Sequence, residues 1–215
     1  MKRMPPGARF RKEEIVRAAF ELASERGIGA VTAREVAARL KVSVGPIFTY
    51  YETMDSLRSD VYGMARSHYR GYIERGLTEK TPFRGIWRQY LTFAMEEPHL
   101  YRMLFLTPPG DISGGAAENL KFSQDLIRDS VMSVYGMDEY TADCFIRDIW
   151  LAAFSYATMI VTGECTLSLE EMLDVGAEIS LALCRAFRDI PGLARGDYDR
   201  DAAFRELTGH PADKI

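Results

Sequence analysis

Apolar residues recur at three- and four-residue spacing along almost the whole chain, and strand-like alternation is nearly absent. Stripes of that period are buried by packing helix on helix, so the expected fold is all-α. The first helix is expected over Lys12–Arg26, with Ile15, Ala18, Ala19 and Leu22 as its apolar stripe and Gly27 as its stop. Thr32-Ala-Arg-Glu35 has the form of a capping box, and it opens a short helix with Val36, Ala37 and Leu40 inward. Ser43 is placed to cap a second short helix bearing Ile47 and Phe48, with Pro46 tolerated in its first turn. Thr53 then caps a long helix over 54–76. Further helices are expected over 83–95, 98–105, 117–135, 139–163 and 169–188, with a short last one near 201–207. Proline and glycine make 107–115 a loop.

Composition narrows the class. A length of 215 residues is ample for a buried core. The opening Met-Lys-Arg-Met-Pro-Pro-Gly lacks the apolar stretch of a secretory signal. The most apolar run, 149–161, is too short for a membrane span and carries Ser155, Tyr156 and Thr158, so it reads as a buried helix and no membrane partner is expected. Cys144, Cys165 and Cys184 are odd in number and unclustered, which reads as core-filling thiols in a reducing compartment, the cytoplasm. With three histidines and no phosphate loop, nucleophile elbow or metal-ligand spacing, the chain is not expected to be an enzyme or to hold a metal or cofactor. Residues 1–60 carry 11 Lys and Arg against 8 Asp and Glu, whereas the remainder carries 16 against 23. A mildly basic end on an acidic body is compatible with a head that meets nucleic acid.

Two short helices joined by about three residues have the spacing of a DNA-reading helix-turn-helix. Ala37 supplies the small residue where the helices cross, and Val36, Leu40, Val42, Ile47 and Phe48 supply inward apolar positions. Another kind of three-helix bundle could carry the same positions, so these residues alone leave both readings open.

The wider run is more specific. Phe10 to Gly27 (FRKEEIVRAAFELASERG), then Val31-Thr-Ala-Arg-Glu-Val-Ala37, Val42-Ser-Val-Gly-Pro-Ile-Phe-Thr-Tyr-Tyr51 and Asp55-Ser-Leu57 follow one another in order. This run resembles the N-terminal domain of the tetracycline-repressor (TetR) family. The stretch from Tyr90 to Phe105 (YLTFAMEEPHLYRMLF) is similar to one common in that family's ligand-binding domains. The resemblance implies a helix-turn-helix domain over 1–57, a helical effector-binding and dimerisation domain over 58–190, and a polar tail over 191–215. It also implies a homodimer that binds a pseudo-palindromic double-stranded DNA operator and is released by a small apolar effector. Carried over by position, Val44, Gly45, Pro46 and Thr49 would face bases and Tyr50 would reach phosphate. Thr32, Arg34 and Lys41 would lie near the backbone, with Lys2, Arg3, Arg9 and Arg11 as an N-terminal arm.

Three residues depart from the family pattern: Lys41 where glycine is common at the turn, Phe48 for a tyrosine, and Met54 for a lysine. From Val42 to Leu57 there is no Lys or Arg. Bidentate readout of guanine by arginine is therefore closed to this helix, which leaves thymine-methyl contacts from Val44 and Pro46, a hydrogen bond from Thr49, and DNA shape.

In the body, aromatic residues crowd Tyr69, Tyr72, Phe83, Trp87, Tyr90, Phe93, Tyr101 and Phe105. At helical spacing they read first as packed core, and the functional reading makes Tyr69, Tyr72, Trp87, Tyr90, Tyr101 and Phe105 the lining of an effector pocket. The last two long helices carry apolar stripes and a second apolar face. By resemblance they would pair with their symmetry mates through Ile149, Ala153, Ala157, Met172, Ile179 and Leu183. The alternatives are a DNA-binding protein without an effector and a helical enzyme.

Overall fold

The computed structural model describes residues 11–110 and 114–210, and these are helical with no strand among them. Lys2, Arg3 and Arg9 of the expected arm lie outside the described residues. The helices are α1 Lys12–Arg26, α2 Ala33–Leu40, α3 Gly45–Tyr50, α4 Met54–Leu77, α5 Pro82–Glu96 and α6 Pro98–Tyr101. A π-helical turn, Arg102–Leu106, prolongs α6, and α7 Gly115–Tyr135, α8 Glu139–Thr162, α9 Leu169–Asp189 and α10 Arg200–Thr208 complete the order.

Local chemistry sets the ends. Gly27 closes α1 at φ 85°, a region that costs a residue with a Cβ. Thr32 Oγ1 accepts from the Glu35 N–H at 3.2 Å, but the Glu35 carboxylate turns to Arg26 at 2.7 Å, so only the threonine half of the expected capping box is made. Thr53 caps α4 by accepting from the Ser56 N–H at 3.2 Å. Ser43 does not cap α3. The helix starts at Gly45 with Val44 as its N-cap and Pro46 in its first turn, so Ser43 stands one residue too early to meet the first unpaired N–H groups. The turn between α2 and α3 closes on Lys41 in the left-handed region, φ 56° and ψ 45°, while the Val42 N–H donates to Ala37 O at 2.9 Å.

The chain divides into two compact units. The first holds α1–α6, the start of α7 and residues 156–166. In its head, Ile15, Ala19 and Leu22 of α1, Val36 and Ala37 of α2, Ile47 of α3, and Leu57 and Val61 of α4 are buried. Farther along, α4 and α5 meet backbone to backbone: a methyl at Gly76 would come within 2.7 Å of the Gly85 backbone. Gly76→Ala is therefore expected to cost about 1–3 kcal/mol through overpacking, read as a lower denaturant midpoint at unchanged slope. Fully buried Asn119 ties the start of α7 inward, its Nδ2 lying 2.7 Å from Leu104 O, 2.8 Å from the Tyr62 hydroxyl and 3.0 Å from Gly115 O.

The second unit holds the remainder of α7 and α8 with α9 and α10. Its core takes Ile127 and Val131 from α7, Ala142, Phe145, Ile146 and Ile149 from α8, and Met172 and Leu173 from α9. Arg128 of α7 donates to both Asp143 oxygens of α8, at 2.7 and 3.1 Å. By length and composition alone α8 is apolar enough to cross a membrane, a longer candidate than the run 149–161 taken by itself. Phe145, Ile146, Ile149 and Ala153 of α8 are buried, while Leu151 and Met159 are exposed. Of the three free thiols, Cys144 is buried and Cys165 and Cys184 are only half-buried.

Candidate nucleic-acid interface and effector region

The two helices α2 and α3 present one outward surface. Ile47 is fully buried and anchors α3, so the opposite side of this short helix faces solvent. Val44, Gly45 and Thr49 are exposed, and Pro46 and Tyr50 are half-buried. Phe48 corrects the sequence expectation: it does not point inward but stands 50% exposed, beside Val44 at 44%. The two are four residues apart, so on a helix they form one apolar shoulder next to the Gly45–Thr49 ridge. Thr49 Oγ1 donates to Gly45 O at 3.3 Å, which leaves its lone pairs able to accept from a base.

Of the eight described cations from Arg11 to Arg58, four are ion-paired. Arg26 meets Glu35, Arg39 meets Glu21 and Glu25, Arg58 meets Asp55 and Val31 O, and Lys12 meets Asp60. Arg34, at the start of α2, and Lys41, in the turn, are exposed and make no ion pair among the described residues. They flank the uncharged α3 and are the groups suited to meet phosphate. Lys41 occupies its left-handed backbone at a cost that glycine would relieve. Lys41→Gly is expected to stabilise the fold by about 1 kcal/mol while lowering DNA affinity and reducing the salt slope by about one. Paired thermal melts and salt titrations check both signs.

A triad invisible in the sequence pins the end of α3. Tyr51, buried just after that helix, donates its hydroxyl to Asp60 Oδ2 at 2.7 Å. Lys12 Nζ also lies 2.7 Å from that oxygen and 4.9 Å from the Tyr51 ring centre. Burial alone would raise the Asp60 carboxyl, but hydrogen bonds from Lys12 and Tyr51 outweigh it and hold the group below the usual carboxylate range. A depressed folded value contributes stability above the unfolded value, about 3.9, that is lost as pH falls through the folded one. The stability gap between wild type and Lys12→Met should therefore be full at neutral pH and close as Asp60 takes up its proton. Chemical denaturation across acidic pH reads this directly.

A second cluster joins α1 to the region beyond the head. Ser24 Oγ donates to Glu97 Oε2 at 2.6 Å, and His68 Nε2 of α4 lies 3.1 Å from Glu97 Oε1. The Phe20 and Tyr72 rings meet His68 edge-on at 5.6 and 5.5 Å, and the Tyr72 hydroxyl donates to Glu96 at 2.8 Å. Glu97 immediately precedes α6, so one carboxylate links α1, α4 and the element that continues into Tyr101 and Phe105.

The six aromatic residues expected at the effector site are all buried, and Tyr69, Tyr72, Tyr90, Tyr101 and Phe105 form one ring cluster. Phe105 lies 5.3, 5.7 and 4.8 Å from the rings of Tyr69, Tyr90 and Tyr101. Tyr72 joins the same cluster through Phe93, at 5.2 Å. The Tyr90 and Tyr101 hydroxyls are 3.3 Å apart. Burial pushes the Tyr90 phenol well above its ordinary value and that of Tyr101 up to about 12, so both remain protonated donors through the neutral range. Trp87 is buried beside Tyr156, ring centres 6.3 Å apart, and its Nε1–H has no hydrogen-bond partner among the described residues. A buried unmet donor costs about 1–3 kcal/mol, which a ligand acceptor would return.

The residues expected at a dimer face divide. Ile149, Ala153, Ala157 and Met172 are buried in this chain's own core, and Ile179 and Leu183 are half-buried. Leu151 of α8 and Leu181 of α9 are instead 49% and 57% exposed. Among the described residues no group of three or more His, Cys, Asp or Glu could hold a metal ion.

A short second helix with an exposed face, set after a first helix that buries Val36 and Ala37, has the form of a helix-turn-helix head. Residues 15–61 match the family model described as bacterial regulatory proteins, tetR family. In head sequence the chain is similar to the TetR family, and in fold it is similar to solved TetR-like regulators. A TetR-like transcriptional regulator from Rhodococcus sp. RHA1 is similar with a TM-score of 0.56 at 15% identity, over 83% of this chain and 97% of that one. FadR of Thermus thermophilus, a TetR family transcriptional repressor solved with lauroyl-CoA, is similar at 0.55 and 23% identity, over 80% and 93%. TetR-Q116A of Acinetobacter baumannii AYE, solved with minocycline, is similar at 0.52 and 15%, over 84% and 98%. No curated protein matches the sequence.

Proposed function

We propose that this chain is a one-component repressor: a cytoplasmic homodimer that binds a pseudo-palindromic operator and leaves it when a small, largely apolar effector binds. The observation that carries this reading is the exposed, uncharged α3 face, flanked by unpaired Arg34 and Lys41, on a head whose sequence matches the family. The functional division runs as the sequence implies, with the head over 1–57, the effector and dimer body over 58–190, and a tail beyond. Val44, Gly45, Pro46 and Thr49 meet bases, while Thr32, Arg34, Lys41 and Tyr50 meet the backbone.

The dimer forms through the faces the core leaves open, around Leu151 of α8 and Leu181 of α9 with half-buried Ile179 and Leu183. Ile149, Ala153, Ala157 and Met172 support that face from beneath. The effector enters among Tyr69, Tyr72, Trp87, Tyr90, Tyr101 and Phe105, and Trp87 offers it a donor. Because Tyr101 and Phe105 share one element with the Glu97 contact to α1, a ligand that shifts α6 also shifts the head. Half-sites lie whole helical turns apart, about 34–36 Å each, so a few ångströms of displacement release the operator.

Linkage supplies the test. An effector found by screening apolar compounds for release of the DNA must bind the operator complex more weakly than the free protein, by the same factor by which it weakens operator binding. Equal effector affinity for the two forms rejects induction. A specific observation favours a second reading, a DNA-binding protein without an effector: Tyr69, Tyr90, Tyr101 and Phe105 are buried and pack against one another. Under that reading no compound releases the DNA.

A further inference from the structure

The outward position of Phe48 leaves a half-exposed phenyl ring on the helix that the proposed function sets into the major groove. It stands one turn from exposed Val44, and no Lys or Arg occurs between Val42 and Leu57. A phenyl ring neither donates a conventional hydrogen bond nor neutralises phosphate. In the major groove, the group on a base edge that it can desolvate favourably is the C5-methyl of thymine, or the same methyl on 5-methylcytosine. Val44 shares this chemistry and widens the apolar shoulder, whereas Gly45 and Thr49 form the ridge that hydrogen-bonds. We propose that Phe48, supported by Val44, is a methyl reader. Recognition by this chain then depends on pyrimidine C5-methyl groups at one position of each half-site, and 5-methylcytosine at that position substitutes in part for thymine. The proposal rests on the DNA-binding reading above and adds to it the group that is read and the residue that reads it.

The test begins with duplexes selected from a random-sequence pool by the full-length protein. Each dT of a half-site is then replaced by dU, which removes the methyl and leaves every hydrogen-bonding group in place. At one position affinity should fall about fourfold per methyl, and about fifteenfold when both half-sites are changed. Replacing that dT·dA pair by dC·dG should weaken binding further, and 5-methyl-dC should recover about fourfold relative to dC. In Phe48→Ala the dT-to-dU ratio should fall close to one, while Phe48→Tyr, which keeps the ring, should retain it. Exposure of Phe48 means neither variant disturbs the core, and unchanged melting confirms that each is folded. Equal binding of dT and dU duplexes at every position overturns methyl reading. A full ratio in Phe48→Ala that disappears in Val44→Ala overturns the assignment to Phe48. Enrichment of no duplex at all overturns the DNA-binding reading itself, and this proposal with it.

Discussion

Thr49→Glu is expected to abolish operator binding, weakening it about a hundredfold or more, while helix content and thermal midpoint stay at wild-type values. Thr49 is exposed on α3, and its hydroxyl bonds within its own helix, to Gly45 O at 3.3 Å. Losing that back-bond costs the fold little. A carboxylate at the same place enters the field of a duplex that carries one negative charge about every 1.7 Å of its axis. Nothing on α3 compensates, since Val42 to Leu57 holds no cation. Thr49→Val separates charge from contact, because it removes the hydroxyl but adds no repulsion, and its loss should be several times smaller. Fluorescence anisotropy with a selected duplex measures both. A Thr49→Glu variant that binds at near wild-type affinity would move the reading face off this helix.

Tyr101→Ala should produce the largest loss of stability, about 3–5 kcal/mol, because it empties a fully buried ring site. The ring contacts Phe105 and Tyr90 at centre distances of 4.8 and 6.0 Å, and α6 is too short to collapse onto the void. Tyr101→Phe keeps the volume and removes only the hydroxyl shared with Tyr90, so its cost should be about 1 kcal/mol. Equilibrium denaturation gives both values, and their ratio bears on function. If Tyr101→Ala costs no more than Tyr101→Phe, the ring does not pack a core, and the cluster is the wall of an open ligand site. A cost near the upper value, with no compound that releases DNA, favours the effector-free reading.

The parts of this fold that a sequence displays are those set by neighbours along the chain. The ends of α1 came out at the expected residues because Gly27 takes a positive φ there, and Thr32 and Thr53 cap as their spacing to the next N–H groups dictates. The left-handed turn at Lys41 was legible only through the resemblance, which puts glycine at that position. Phe48 was misplaced because a six-residue helix has too few turns for an apolar stripe to show its direction. The π-helical turn after α6 was missed because it follows from packing, not from local preference. Glu97, Asn119 and the Lys12–Asp60 pair went unseen because their partners are distant in sequence: Ser24 is 73 residues from Glu97, and Tyr62 is 57 from Asn119. Crowding along the sequence flagged the aromatic residues of the body, but a single sequence could not say how far they would be buried or that Trp87 would lie beside Tyr156.

The claim on which the other proposals depend is that two α3 helices read one DNA site as a symmetric pair. Selection of bound fragments from a random duplex pool, followed by hydroxyl-radical footprinting of the winners, tests it most directly. The expected result is an inverted repeat whose half-site centres are separated by a whole number of turns, about 34–36 Å or a multiple. Two protected patches should lie on one side of the duplex, and both should vanish with Thr49→Glu. A single asymmetric patch, or protection that survives Thr49→Glu, would contradict it.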